Sequence, residues 1–236
     1  MWTDRTQMLL GEGGMLKLRD SRVAVVGVGG VGGYAAEMLV RAGVGHIALI
    51  DSDDVSETNI NRQIIALHST VGRSKCDVMR ERLLDINPDL DVTVVPRFVE
   101  ESNMAAIMDP LDVGYVVDAI DTLSPKIALI QYCLSHGLHL VSSMGAGAKM
   151  DATTLRIADI SKTCQCPLAH ALRKRLHRLG IDTGFLAVFS YEKPHRESVV
   201  VEESRNKISQ VGSVSYIPAV FGCACAQALI SLILEW

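Results

Sequence analysis

Apolar and polar positions along this chain follow two periods in turn. Residues 22–27 (Arg-Val-Ala-Val-Val-Gly) form a short apolar run, rich in β-branched side chains and ending in glycine. Such a run predicts a parallel strand buried on both faces. Over 30–42 the apolar positions Val31, Ala35, Met38, Leu39 and Ala42 fall on one helical face. A second strand is expected at 46–51, then a helix at 72–87 with Cys76, Met79, Leu83 and Ile86 aligned and Pro88 as its stop. Strands at 92–95 and 115–119, a helix at 125–135 and a fifth strand at 138–142 continue the series. Strand and helix in alternation predict an α/β fold with a Rossmann-like, doubly wound, mostly parallel sheet.

Beyond residue 147 the rhythm changes. Strands are expected at 155–160 and 185–191, with a basic helix at 167–179 between them. The stretch 192–211 is charged, contains Pro194 and has no apolar period, so it reads as a mobile loop. We therefore expect residues 1–147 to form a nucleotide-binding unit and 148–236 a smaller α+β extension of the same sheet. The apolar stretch 217–234 has the length of a short membrane span, but Pro218, Gly222, Gln227 and Ser231 dilute it. A buried or dimer-facing terminal helix is expected, without stable membrane insertion.

Composition narrows the classes. At 236 residues and 48% hydrophobic content the chain can bury one large core, and 5% aromatics leaves few stacking surfaces. A net charge of −4 argues against non-specific coating of nucleic acid. Yet residues 161–210 hold nine Lys/Arg against five Asp/Glu, so one side of the molecule is expected to be basic. The six cysteines form no regular framework and the N-terminus shows no export signal. Both point to reduced thiols in the cytoplasm.

The candidate chemistry begins at Gly27-Val-Gly29-Gly30-Val-Gly32-Gly33, between a strand and a helix, where backbone N–H groups can approach a phosphate. Asp51 stands roughly 20 residues on, where a ribose-binding acid is expected. A dehydrogenase would need a hydride site next, whereas this chain supplies Asp53, Asn59, Asn61, Arg62, Gln63 and Lys75. Arg62 and Lys75 can both meet a triphosphate, the first as a planar fork and the second as a point charge. Asn59, Asn61 and Gln63 add neutral donors. Asp121, at the end of the fourth strand, can hold Mg²⁺ through its carboxylate. Lys126, five residues on across a turn, is expected to face the same site. Cations and metal together would stabilise charge on pyrophosphate leaving an α-phosphorus.

The run Gly27-x-Gly-Gly-x-Gly32, Asp51-x-Asp53, Asn59-x-x-Arg62-Gln63, Gly72-x-x-Lys75 and Asp118-x-x-Asp121 resembles the ubiquitin-activating-enzyme-like superfamily. Its members use ATP and Mg²⁺ to turn a carboxylate into an acyl-adenylate. The resemblance implies that Asp51 holds the ribose, that Asn59, Arg62 and Lys75 hold the phosphates, and that Asp121 serves the metal. It also implies a homodimer in which Arg5 reaches the neighbouring subunit's ATP.

Cys164-x-Cys166 and Cys223-x-Cys225 lack the spacing of structural zinc pairs, so no zinc site is expected. Cys166, just ahead of a helix, is either an activated thiol or an unreactive buried one. Several stretches are similar to the bacterial tRNA threonylcarbamoyladenosine dehydratase branch: 118–126, 142–147, 159–163, Cys166-Pro-Leu-Ala169 and Gly212-Ser213. That likeness implies a tRNA substrate, with Arg173, Lys174, Arg175 and Arg178 as phosphate contacts or as an ordinary solvated face. Two other readings remain open at this point. One is an activator of a ubiquitin-like sulfur carrier with a sulfur-relay partner; the other is a nucleotide-sensing protein without catalysis.

Overall fold

The structure is a computed structural model that describes residues 1–204 and 207–236. Its core is a sheet of β1 (Arg22–Val26), β2 (His46–Ile50), β3 (Asp91–Val95), β4 (Tyr115–Asp118), β5 (His139–Ser143), β6 (Leu155–Asp159) and β7 (Leu186–Ser190). The strand order is β3-β2-β1-β4-β5-β7-β6, parallel except for the antiparallel edge strand β6. The doubly wound α/β expectation therefore holds.

The alternation inside β1 explains the two layers. Val23 and Val25 enter one core with Leu39, Leu229 and Phe221, while Ala24 and Val26 enter the other with Leu129, Ile130 and Leu172. Both faces of the strand are thus apolar, which is why its sequence lacks a polar period. The first face is covered by α1 (Asp4–Asp20), α2 (Gly32–Ala42), α3 (Lys75–Ile86) and α7 (Tyr216–Leu234). The second is covered by α4 (Met104–Met108), α5 (Leu123–Ser135) and α6 (Pro167–His177). Burial of each large apolar side chain contributes about 1.5–3 kcal/mol.

Helix limits follow local chemistry. The Ser74 hydroxyl accepts the Asp77 N–H at 3.3 Å and opens α3, which ends at Ile86, with extended Asn87 capping it just before Pro88. α7 has a mean hydropathy of 2.1 and is long enough to cross a membrane, yet 61% of its apolar window is buried inside the protein. It packs on α2, β4, β5 and α1.

Three features differ from the sequence expectation. The helices α1 and α4 carry no clear apolar period, and α1 is broken at Gly11, where φ is 71°. The stretch 192–211, expected to be a loop, contains the antiparallel strands β8 (Val199–Ser204) and β9 (Lys207–Val211), Val199 opposite Val211. The β-branched run Val199-Val200-Val201 favours strand, and the surrounding charges hid it. Arg205 and Asn206 lie outside the described residues.

Topology places the site. From β1 the chain winds outward through β2 to β3, then returns to β4 on the other side of β1. That reversal leaves a crevice at the carboxyl ends of β1 and β4, where open α/β sheets bind ligands.

Candidate nucleotide-binding site

The glycine loop closes at this crevice. Gly27 has φ of 91°, and a Cβ there would stand 2.9 Å from the Ala119 carbonyl; a Cβ on Gly32 would fall 1.7 Å from the Gly27 carbonyl. Only glycine fits either position. The Val28 N–H donates to Asp51 Oδ2 at 2.7 Å, and the Asp53 N–H donates to Oδ1 at 2.8 Å. Asp51 is thereby pinned between the loop and its own strand end. Burial pushes its carboxyl up from the usual range, against the opposing pull of Lys75 and of the two N–H groups. A carboxylate has about four acceptor positions, so lone pairs remain for a hydroxyl pair.

The polar run folds back on itself beside Asp51. Val55 N–H donates to Arg73 O and Gly72 N–H to Val55 O, both at 2.8 Å, while Lys75 N–H donates to Asp53 O at 3.1 Å. These bonds bury Lys75 to 6% exposure and set its Nζ 2.8 Å from Asp53 Oδ2. Asp53 itself is exposed.

On the other side of the loop, a Cβ on Gly30 would lie 3.5 Å from Arg62 Cγ, and one on Gly29 would lie 3.6 Å from Gln63 Nε2. The Arg62 guanidinium donates to Thr58 O at 3.0 Å and to Asn61 Oδ1 at 2.8 Å. Asn59 is buried and its Oδ1 accepts the Ser56 N–H at 3.1 Å. Gln63 is also buried, and its Oε1 has no partner among the described residues. Asn61 Nδ2 donates to the Ser213 carbonyl at 3.1 Å, which ties the segment after β9 to the site. Asp121 is exposed in the turn from β4 to α5. Thus Gly29, Gly30, Arg62 and Gln63 form one wall and Asp51, Asp53 and Lys75 another. Arg5 is exposed on the half of α1 before the Gly11 kink.

The chain matches the ThiF family over residues 3–236. It belongs to that family. It is 42% identical over 226 residues to the tRNA threonylcarbamoyladenosine dehydratase of Bacillus subtilis (strain 168), covering 92% of this chain and 89% of that one. The enzyme of the same name from Escherichia coli (strain K12) is 41% identical over 237 residues, covering 94% and 85%. A crystal structure of the E. coli tRNA N6-threonylcarbamoyladenosine dehydratase TcdA in complex with ATP superposes with a TM-score of 0.90 at 38% identity, covering 99% of this chain and 93% of that one.

Within this ThiF-family site two expected placements need correction. Lys126 does not face the crevice: it is fully buried, with Nζ 2.7 Å from Asp118 Oδ2 and 2.9 Å from the Ile120 carbonyl. The first turn of α5 aims it inward, toward the carboxyl end of the central strand β4. Arg173 likewise turns inward, donating to the Thr163 carbonyl at 2.8 Å and to the Thr163 hydroxyl. It shares the inner side of α6 with Leu172 and Leu176, which leaves Lys174, Arg175 and Arg178 exposed.

Cys166 is buried, and its Sγ accepts the Gly145 N–H at 3.4 Å and the Ala169 N–H at 3.5 Å, capping α6. Burial pushes the Cys76 and Cys225 thiols up to about 12, so both stay protonated. Among the described residues no three His, Cys, Asp or Glu side chains gather as a metal centre. Sequence reasoning missed Ser142, whose hydroxyl donates to Asp118 Oδ2 at 2.7 Å. It also missed Lys149, buried with Nζ 2.5 Å from the Glu192 carbonyl. Polar residues inside otherwise apolar strand ends were the available signal for Ser142.

Proposed function

We propose that this chain is an ATP-dependent tRNA threonylcarbamoyladenosine dehydratase. The observation that carries the reading is the flanking of one glycine loop, at the reversal of the sheet, by two cations: Arg62 lies against Gly30, and Lys75, paired with Asp53, pulls on the Asp51 carboxylate that holds the loop. Relatives of that name, alike over nearly the whole chain, supply the acyl substrate.

In this reading the loop Gly27–Gly32 cradles phosphate and Asp51 takes the ribose hydroxyls, with Asp53 releasing Lys75 to the triphosphate. Arg62 and Lys75, helped by Asn59, Asn61 and Gln63, neutralise charge on the departing pyrophosphate. Asp121 offers the hard oxygen donor that Mg²⁺ prefers, the remaining ligands coming from phosphate and water. That ion would supply further charge neutralisation there. The threonylcarbamoyl carboxylate attacks the α-phosphorus, and pyrophosphate leaves. The neighbouring carbamoyl oxygen then attacks the activated carbonyl, AMP leaves, a carbamoyl N–H gives its proton to solvent and the ring closes. The second nucleophile is already tethered, so proximity supplies much of that step and no enzyme thiol is required. Neutral, buried Cys76 and Cys225 accord with this.

The reading places the protein in the cytoplasm as a homodimer in which Arg5 of each subunit completes the other's site. Its support is the exposed apolar pair Met8 and Leu9, at 86% and 81%, on the same half of α1. Lys174, Arg175 and Arg178 are the proposed contacts for tRNA phosphates. Residues 1–147 form the adenylating part and 148–236 the part that meets the RNA.

The test is incubation of pure protein with ATP, Mg²⁺ and tRNA bearing threonylcarbamoyladenosine, followed by gentle digestion and mass analysis. Loss of one water per modified base is expected. An unchanged mass, with ATP turnover stimulated by a Gly-Gly-ended carrier protein, would replace this reading with sulfur-carrier activation. Asp121→Ala and Arg62→Ala are each expected to abolish AMP formation with the fold intact.

A further inference from the structure

Beneath the crevice lies a sealed ion pair to which the adenylation chemistry gives no task. Asp118, the last residue of β4, and Lys126, in the first turn of α5, are both fully buried and 2.7 Å apart. The Asp118 carboxylate also accepts the Ser142 hydroxyl at 2.7 Å and the Ile120 N–H at 3.1 Å. The Lys126 ammonium donates in addition to the Ile120 carbonyl at 2.9 Å. Ile120 is therefore held at both ends of its own backbone, its N–H by the carboxylate and its C=O by the ammonium.

That carbonyl belongs to the peptide that carries the N–H of Asp121. Its orientation sets where the Asp121 side chain departs from the turn. The same turn abuts the phosphate loop: Ala119 N–H donates to Val26 O at 2.9 Å, and the Ala119 carbonyl is what a Cβ on Gly27 would strike. Stability does not account for the pair. Apolar residues of similar volume usually serve a buried position as well or better. The helix that carries Lys126 is already anchored by Ile127, Leu129 and Ile130.

We propose that Lys126 and Asp118 are positioning residues for the reaction: they lock the 119–121 turn so that Asp121 and the Gly27 loop address the same phosphates. The proposal rests on the adenylation reading above. Neither residue touches substrate, and both act through the Ile120–Asp121 peptide. Because Asp51, Arg62 and Lys75 lie on other elements, ATP binding survives loss of the pair while the rate does not; a displacement of about 1 Å can cost about 10²-fold.

The test compares the full-length wild-type protein with Asp118→Asn/Lys126→Met, which removes both charges at similar volume. Steady-state AMP formation over a range of ATP concentrations is measured beside circular dichroism and thermal unfolding. The expected result is a folded protein whose kcat falls about 100-fold while KM for ATP stays within about threefold. A folded double variant with wild-type kcat overturns the proposal, as does a loss shared equally between kcat and KM. If the double variant fails to fold, Ser142→Ala deletes only one hydroxyl from the carboxylate. It is expected to lower kcat about tenfold at constant KM, and an unchanged kcat again overturns the proposal. Absence of AMP formation in the wild type would refute the adenylation reading itself.

Discussion

Lys75 and Lys126 each meet an aspartate, at 2.8 Å and 2.7 Å, the first beside the crevice and the second beneath it. The first pair is open on its acidic side, with Asp53 66% exposed; the second is sealed, with both partners at 0%. Bond length does not distinguish them, but surroundings do. Water can solvate Asp53 when Lys75 turns to another anion, so the open pair can exchange partners. No solvent reaches Asp118, so the sealed pair must stay closed or leave a bare charge in the interior. On the function proposed above, the open pair is suited to substrate and the sealed pair to geometry.

The contrast can be broken by mutation. Lys75→Met is expected to lower AMP formation about 10³-fold while unfolding in urea shifts by less than about 1 kcal/mol. Lys126→Met is expected to cost about 3–5 kcal/mol in the same unfolding experiment, because Asp118 is left charged and unpaired. If both substitutions lowered stability equally, the distinction between the pairs would disappear. Exposed charges farther out sharpen it: replacing Lys174, Arg175 and Arg178 by alanine should raise KM for tRNA about tenfold and flatten its salt dependence, with unfolding unchanged.

The smallest effect belongs to another sealed acid. Glu37 is 4% exposed on α2 and is gripped by Arg41 at 2.8 Å and Arg82 at 2.5 Å. Burial opposes its ionisation, but the two guanidiniums outweigh burial and hold the carboxyl below the usual glutamate range. As pH falls, the unfolded chain takes up this proton first. The stabilisation is therefore complete above about pH 5 and is lost as pH drops through the lowered value. Denaturant titrations should show a shallower acid loss for Glu37→Gln than for the wild type; identical slopes would exclude Glu37 as a source of acid sensitivity.

These pairs also mark how far sequence reading reached. The placement of Gly27, Asp51, Arg62 and Lys75 was legible because each is fixed by local events: a tight turn, a strand end, a short folded-back loop. The parallel core was legible for the same reason, since β1 is apolar on both faces. Lys126 was misplaced because its direction depends on Asp118 and Ser142 from two neighbouring strands, which no local pattern encodes. Arg173 and its neighbour Lys174 carry the same charge in sequence, and only the packing of α6 separates an inward fork from an outward cation. α1 escaped notice because Gly11, Gly13 and Gly14 suppress its helical pattern, while its support comes from packing on the sequence-distant helix α7.

The burial of α7 has a consequence in time. This helix packs on α2, whose first turn closes the glycine loop, although most of the chain separates the two in sequence. During synthesis the loop emerges well before its covering helix, which begins more than 180 residues later in the chain. The nascent chain therefore carries the complete Gly27–Gly32 loop long before it has the wall that holds α2 against the sheet. Competence to grip a nucleotide should therefore arise abruptly on the ribosome, once α7 has emerged, with the earlier part of the chain exposed and chaperone-accessible until then.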